Sequence, residues 1–182
     1  MTNIDIHKVT KDNIEQLQEI GKTTFFETFA AENSPEDMRN YLEEEFSKEK
    51  LNKELTHPNS EFYFAHLDGR TIGYLKVNFG NSQTEIKDNN ALEIERIYVL
   101  KEFHGKYVGK MLYEIAIELA RKRYVEYIWL GVWEQNARAI RFYEKNGLVA
   151  FGQHISKLGN VEQTDIMMKL DLTNKSDPFK KK

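Results

Sequence analysis

The second half of the chain contains two successive units in which a strand pattern is followed by a helix pattern, and this order constrains the fold most. Residues 91–99 read as a strand, and the apolar residues of 111–119 then fall on one helical face. Residues 127–132 form a short apolar run typical of a buried strand, and a short helix over 136–145 follows. Gly147 stands where glycine commonly ends a helix. Two strand–helix units indicate an α/β fold.

The rest of the chain predicts a strand, a group of helices and two hairpins. Alternating apolar residues predict a strand over 3–8, and Thr10 offers an N-cap to the helix that follows. Ser34 precedes a proline and two acids, which marks another helix start, and helices extend to about residue 55. The remaining expected elements are strands over 62–65 and 71–77 joined by Asp68 and Gly69, a polar loop over 78–90, and a final hairpin of strands over 148–155 and 161–170.

Length and composition fit one compact domain, which we place at residues 1–172. The chain has 182 residues, of which 40% are hydrophobic, and this size is typical of a single core. Residues 173–182 are polar and basic without core residues, so we expect a disordered tail. No apolar run approaches the roughly 20 residues that span a membrane, and residues 1–10 lack an apolar signal core, so we predict a cytoplasmic protein without membrane contact.

The charge and the residue types exclude several classes of function. The net charge of -3 leaves no broad basic surface for nucleic acid. The chain has no cysteine, which excludes disulfides, thiolate metal ligands and an acyl-cysteine intermediate, so any acyl transfer would be direct. The histidines show no H-x-x-x-H spacing, so we predict no metal.

A glycine-containing turn between a strand and a helix is a candidate phosphate site. Residues 104–110 read His-Gly-Lys-Tyr-Val-Gly-Lys, and the free backbone N–H groups at a helix start can hold phosphate. The turn is not a Walker A loop, because Met111 occupies the place of the magnesium-binding Ser or Thr. Taken alone, the segment fits a plain strand-to-helix turn equally well.

Asn136 and Tyr143 are a candidate pair for one elongated ligand. They are seven residues apart, which is two helical turns, so they lie on one face of the predicted helix. The alternative is that Asn136 is only a helix cap and Tyr143 only a core residue.

Glu93 and Glu95 are candidates for contact with a cationic substrate. They lie two residues apart on the predicted strand, and we expect them to share one face with Ile97 and Val99. Carboxylates beside a partly buried cleft would attract an ammonium group and accept its proton. The alternative is a solvated strand edge.

Together these segments resemble the GNAT family of N-acetyltransferases. The segment 136–148, Asn-Ala-Arg-Ala-Ile-Arg-Phe-Tyr-Glu-Lys-Asn-Gly-Leu, is similar to the family signature N-x-x-A-x-x-F-Y-x-x-x-G-F, and residues 97–99 and 104–110 resemble the strand and phosphate turn before it. The resemblance covers residues 3–171. It implies a mixed, twisted central sheet of about seven strands flanked by helices, in which a splayed pair of strands forms the acetyl-CoA cleft.

The resemblance also implies roles for the residues at matching positions. Acetyl-CoA would be the co-substrate, with its pantetheine arm on the strand and its pyrophosphate on the amides of the turn. Tyr143 would protonate the departing CoA thiolate. The implied cofactor-binding residues are Ile97, Tyr98 and Val99 of the strand, His104, Gly105, Lys106, Tyr107, Val108, Gly109 and Lys110 of the turn, and Asn136, Ala139 and Lys145 of the signature segment.

Two positions depart from the family pattern. His104 stands where the family prefers Gln or Arg, and Tyr107 stands where it prefers Gly. Backbone amides survive both changes. A side chain at position 107 constrains the turn if that position needs a positive φ, which would weaken CoA binding.

Within the family, residues 128–134 and 163–165 resemble the bacterial PaiA-type spermine/spermidine acetyltransferases. This implies direct transfer, in a ternary complex, to a primary amine of a polyamine. Glu95 would be the base and contact the substrate, and Glu93 would assist it. The alternatives are an acetyltransferase for another small amine or a protein N-terminus, and a CoA-binding regulatory module without turnover. A homodimer is a further expectation.

Overall fold

In a computed structural model, the described residues are 3–173, and they form one seven-stranded mixed sheet with five α-helices. The strands are β1 (Ile4–Lys8), β2 (Ser60–Leu67), β3 (Arg70–Phe79), β4 (Ala91–Val99), β5 (Tyr127–Trp133), β6 (Val149–Leu158) and β7 (Val161–Asp171). The helices are α1 (Ile14–Phe29), α2 (Pro35–Glu45), α3 (Lys48–Thr56), α4 (Val108–Lys122) and α5 (Ala137–Lys145). The strand order in the sheet is β1-β2-β3-β4-β5-β7-β6.

The helices α1 and α4 pack on opposite faces of the sheet. Adjacent residues of β3 show this arrangement, because side chains alternate between the two faces along a strand. A Cβ placed on Gly73 would lie 3.4 Å from Leu112 of α4, whereas one placed on Gly21 of α1 would lie 3.6 Å from the hydroxyl of Tyr74. Leu112 and Tyr74 are both buried in the core. The predicted sheet flanked by helices is therefore confirmed.

Most predicted element starts agree with the structure, with one difference at the first helix. Ser34 caps α2, as predicted, and its hydroxyl accepts the N–H of Asp37 at 3.1 Å. Thr10 does not begin α1 but a short 3₁₀ turn, Lys11–Asn13. The amide and hydroxyl of Thr10 both donate to Asn13 Oδ1, at 3.2 and 3.3 Å. This local hydrogen bonding closes one tight turn before the α-helix starts.

Several strands are longer than predicted, and the extensions of β3 and β6 shorten the loops that follow them. The expected loop over 78–90 begins only after Phe79, because Asn78 and Phe79 are buried and pair with β4. Both are compatible with a loop by residue type, and their burial comes from tertiary contacts. The strand β6 likewise continues to Leu158, so the final turn contains only Gly159 and Asn160.

The parallel neighbours β4 and β5 are splayed. Their register pairs are Ala91 with Tyr127, Leu92 with Ile128, and Glu93 with Trp129. Beyond this point the described parts of the two strands form no further pairs. Unpaired strand ends leave open space between β4 and β5, as the family resemblance implies.

A β-bulge at Glu95 corrects one sequence prediction. Glu93 pairs with Asn78 and Arg96 pairs with Lys76, so Glu95 is the extra residue of β4. Such an insertion reverses the alternation of side chains after it. Ile97 pairs with Leu75 and therefore lies on the other face from Glu93. The prediction that the two acids share a face with Ile97 and Val99 was wrong, because it assumed an uninterrupted strand.

The predicted tail, 173–182, lies outside the described residues apart from Thr173. The assignment of 1–172 to one domain stays a prediction. Among residues 3–173, no helix combines the length and the apolar character needed to cross a membrane.

Candidate active site

A cavity of about 690 Å³ opens between the end of β4, the turn before α4, and α5. Four cationic side chains line it, from Lys110, Arg138, Arg141 and Lys145, and no acidic residue of the described chain does. Because the whole chain has a net charge of -3, this positive charge is a local concentration that suits a polyanionic ligand. The predicted cofactor-binding residues in its lining are Ile97, Val99, His104, Gly105, Tyr107, Val108, Gly109, Lys110, Ala139 and Lys145, and the predicted proton donor Tyr143 lies there as well.

A second cavity, of about 300 Å³, lies in the splay between β4 and β5 and is closed on one side by α1. Its lining contains Glu95, Tyr98 and Asn136. Asn136 also caps α5, because its side-chain oxygen accepts the N–H of Ala139 at 3.2 Å. Asn136 therefore both caps the helix and lines the smaller cavity. The two cavities are adjacent and share six lining residues, Ile97, Val99, His104, Arg138, Ala139 and Tyr143.

Tyr143 is the predicted proton donor, and it lies where the two cavities meet. The side chain is only 7% exposed, and burial raises the pKa of its phenol. The phenol is therefore protonated at neutral pH. A buried, protonated hydroxyl at the junction can serve as an acid toward a group bound in either cavity.

Glu95 belongs to a buried network of charges rather than standing alone. Lys76 of β3 contacts its carboxylate, and the side-chain amide of Asn78 donates to it at 3.0 Å. Glu54 of α3 joins the same cations, with Lys76 at 3.0 Å and Arg96 at 2.9 Å. The two carboxylates and two cations balance each other in charge.

This network fixes the protonation of Glu95. Burial alone would raise the pKa of its carboxyl group, but the charges of Arg96 and Lys76 and the hydrogen bonds it accepts lower that pKa to about 2. Glu95 is therefore an anion throughout the neutral range. An anion of this kind attracts an ammonium group well and accepts its proton weakly.

Glu93 does not reach either cavity, contrary to its predicted contact with substrate. It is 3% exposed, and its carboxylate accepts bonds from the backbone and hydroxyl of Thr84, at 2.8 and 2.5 Å, and from Asn78 at 2.9 Å. Burial raises the pKa of Glu93 despite these bonds. The strand pattern could not reveal this, because Thr84 comes from the loop that folds over β4.

The turn before α4 has a positive φ at position 107, which is the case in which a side chain there constrains the turn. Gly105 has φ 75 and Tyr107 has φ 66, so a tyrosine occupies a left-handed position that favours glycine. Lys106 lies outside the lining of both cavities, and its ammonium group is 5.4 Å from the ring of Phe103. Tyr107 is 81% exposed at the rim of the larger cavity.

Replacing Tyr107 with glycine should stabilise the protein. We expect Tyr107→Gly to raise the free energy of unfolding by about 0.5 to 1 kcal/mol, because glycine has no Cβ to clash in this conformation. Urea denaturation measures the change. Tyr124→Gly tests the same effect away from the cavities, since Tyr124 has φ 54 and lines neither cavity. We expect a similar stabilisation in this variant. Equal stabilities of the variants and the unmodified protein would contradict the expectation.

His104 ties the turn to the end of β4. Its Nε2 lies 2.8 Å from the carbonyl oxygen of Val99. Burial lowers the pKa of His104, and the nearby charges of Arg138 and Lys101 lower it further, against the effects of the Val99 bond and of Glu27. The ring is therefore neutral at pH 7.

Sequence reasoning missed several lining residues. Arg138 and Arg141 precede Lys145 on α5 by seven and four positions, so all three lie on one helical face. This spacing was visible in the sequence and could have revealed the basic side of the cavity. Asn146 follows the helix and accepts from Lys110 at 2.6 Å, a contact between distant segments that no local pattern shows.

Within residues 3–173, no group of three or more histidine, aspartate or glutamate side chains is arranged to hold a metal ion.

The sequence profile of the acetyltransferase (GNAT) family matches residues 15–148. This chain belongs to the GNAT family. As a GNAT protein it is an N-acetyltransferase that uses acetyl-CoA. It is 42% identical to an uncharacterized N-acetyltransferase of Lactobacillus delbrueckii subsp. lactis, over 93% of this chain and 98% of that one.

Two further similarities lie within the family. The chain is 30% identical to spermidine N(1)-acetyltransferase of Thermoplasma acidophilum, over 80% of this chain and 88% of that protein. The structure superposes with a TM-score of 0.76 on the PaiA N-acetyltransferase of Thermoplasma acidophilum, which was solved in complex with coenzyme A. That match has 26% identity and covers 93% of this chain and 99% of the other.

Proposed function

We propose that this GNAT protein transfers the acetyl group of acetyl-CoA to a primary amine of a small polycation, with spermidine or spermine as the preferred acceptor. The observation that carries the proposal is the adjacency of two unlike cavities, which share six lining residues. One is lined by cations without acids, and the other contains the buried anion Glu95. Tyr143 stands where they meet, so a donor and an acceptor bound on either side would react beside it.

The larger cavity fits the phosphates of CoA. Lys110, Arg138, Arg141 and Lys145 would attract the phosphate charges, and the backbone N–H groups of the turn before α4 would hold the pyrophosphate. The open end of β4 would leave backbone groups free to bind the pantetheine arm. The cofactor roles predicted for residues 97–99, 104–110, Asn136, Ala139 and Lys145 are proposed on this basis.

The smaller cavity fits an ammonium group. Glu95 would hold the cationic amine in the splay between β4 and β5, beside the end of the larger cavity. Glu27 adds a second acid to the lining, although Lys101 and Arg138 also lie there. A polycation gains from such a site, because its distal charges can contribute binding while one terminal amine reacts. The predicted role of Glu95 as base stays a prediction. Its pKa of about 2 is far below the value of about 10.4 for an alkyl ammonium group, so this carboxylate accepts a proton from the amine only weakly.

The reaction would proceed by direct attack in a ternary complex. The deprotonated amine attacks the thioester carbonyl, a new N–C bond forms, and the C–S bond breaks. Tyr143 would give its proton to the departing sulfur. Spermidine as acceptor is also supported by the relative from Thermoplasma acidophilum, whose name states that activity.

A competition assay tests the acceptor. Spermidine, lysine and a peptide with a free N-terminus are offered at equal concentration with acetyl-CoA and a metal chelator, and each acetylated product is quantified. We expect spermidine to have the highest kcat/KM, by about fivefold or more, because one missing charge contact costs up to about 1 kcal/mol. Calorimetric titration with acetyl-CoA in the same buffer measures cofactor binding separately.

The outcomes of this assay separate the acceptor from the cofactor. A higher kcat/KM for lysine or the peptide would contradict the polyamine proposal and favour the alternative acceptors. Acetyl-CoA binding without turnover of any amine would favour a regulatory module. The predicted homodimer and the cytoplasmic location stay predictions.

A further inference from the structure

His104 occupies the junction of the two cavities. Of the six residues that both linings share, only His104, Arg138 and Tyr143 have ionisable side chains. Arginine stays protonated in proteins, and the pKa of Tyr143 is raised. His104 is therefore the one shared residue able to accept a proton near neutral pH.

The hydrogen bond of His104 fixes which ring nitrogen is basic. Nε2 lies 2.8 Å from the carbonyl oxygen of Val99, and a carbonyl only accepts, so Nε2 carries the proton. In the neutral ring Nδ1 then has a lone pair. Within residues 3–173, Nδ1 has no hydrogen-bond partner. The tautomer is therefore suited to accept a proton at Nδ1.

The charges around His104 come from three directions. Glu27 faces it from α1, Lys101 from the segment after β4, and Arg138 from α5. Burial and the two cations favour the neutral ring, whereas Glu27 favours the charged one. The ring is also partly exposed, so a proton accepted there can pass to solvent.

We propose that His104 Nδ1 is the proton acceptor for the amine, with Glu95 as the anion that holds it. This inference rests on the proposed function. The ammonium group gives one proton to Nδ1, and the freed lone pair attacks the thioester carbonyl. Tyr143 protonates the sulfur as the C–S bond breaks. The second proton that the nitrogen loses on forming the amide restores the phenol of Tyr143, and the imidazolium releases its proton to solvent.

The pH dependence of kcat/KM for spermidine tests this role. We expect the unmodified enzyme to reach a plateau by about pH 7, because a neutral His104 then accepts the proton. His104→Gln retains an amide N–H for the Val99 carbonyl but has no base. Its kcat/KM should be about 1,000-fold lower at pH 7 and rise about tenfold per pH unit, approaching the unmodified enzyme near pH 10, where a large share of the amine is already deprotonated.

The controls separate catalysis from structure and from the proposed function. Calorimetry should find acetyl-CoA affinity within about threefold of the unmodified enzyme, and His104→Asn carries the same expectation should the glutamine variant not fold. Parallel pH profiles of variant and unmodified enzyme would overturn the inference, as would a deficit that persists unchanged at pH 10. No spermidine turnover by the unmodified enzyme at any pH would instead remove the proposed acceptor, and this inference with it.

Discussion

Tyr143→Phe should lower kcat about 100-fold while acetyl-CoA affinity changes less than about threefold. The substitution removes only the phenolic hydroxyl, and the loss of a general acid typically costs a factor of this size or more. The ring remains to fill the junction of the cavities, where Tyr143 is 7% exposed. Steady-state kinetics at saturating amine give kcat, and calorimetric titration gives the affinity for acetyl-CoA.

Tyr74→Phe is the matched control for this prediction. Tyr74 is also a buried tyrosine, but its hydroxyl has no hydrogen-bond partner among residues 3–173, and the residue lines neither cavity. Its substitution should leave kcat unchanged and leave stability equal or slightly higher. An unchanged kcat in Tyr143→Phe would show that another group protonates the thiolate or that this step does not limit turnover.

The local patterns of the second half predicted segments that the structure brings together. The segment 136–148 and the turn 104–110 are read from helix periodicity, capping and glycine positions, all of which depend on neighbouring residues. The structure places both segments around one cavity. Elements of this kind are predictable because their geometry is determined within a few residues.

The strand β4 shows where such prediction fails. A bulge adds one residue to one strand relative to its partner. Its position therefore depends on the register with β3 and cannot be recognised from the sequence of β4 alone. The alternation of Glu93 and Glu95 was read correctly up to the bulge and wrongly beyond it. The partners of Glu95 could not be predicted from the sequence either, because Lys76 and Asn78 both lie on the neighbouring strand β3.

The charge network suggests a second large effect, on capture of the polyamine. Glu95→Gln should lower kcat/KM for spermidine at least about 100-fold, mostly through KM. The change removes the anion of the smaller cavity and leaves Lys76 and Arg96 with one carboxylate between them, so the site becomes cationic and repels an ammonium group. Loss of a buried charge partner should also cost roughly 3 kcal/mol of stability.

Glu54→Gln separates the effect on capture from the effect on stability. Glu54 pairs with the same two cations at 3.0 and 2.9 Å, but it lies on α3 and does not line the smaller cavity. Both variants change the network by one charge, so urea denaturation should show similar losses of stability. Only Glu95→Gln should lose spermidine capture.

Ionic strength gives a second readout for the same pair of variants. In the unmodified enzyme and in Glu54→Gln, added salt should raise KM for spermidine, because it screens the attraction between a polycation and an anion. In Glu95→Gln this dependence should be weak, since the anion is gone. A fall in kcat with unchanged KM would indicate instead that Glu95 is the base. Equal activity losses in the two variants would mean that Glu95 acts only by holding β3, β4 and α3 together, and the ammonium site would then have to lie elsewhere in the cleft.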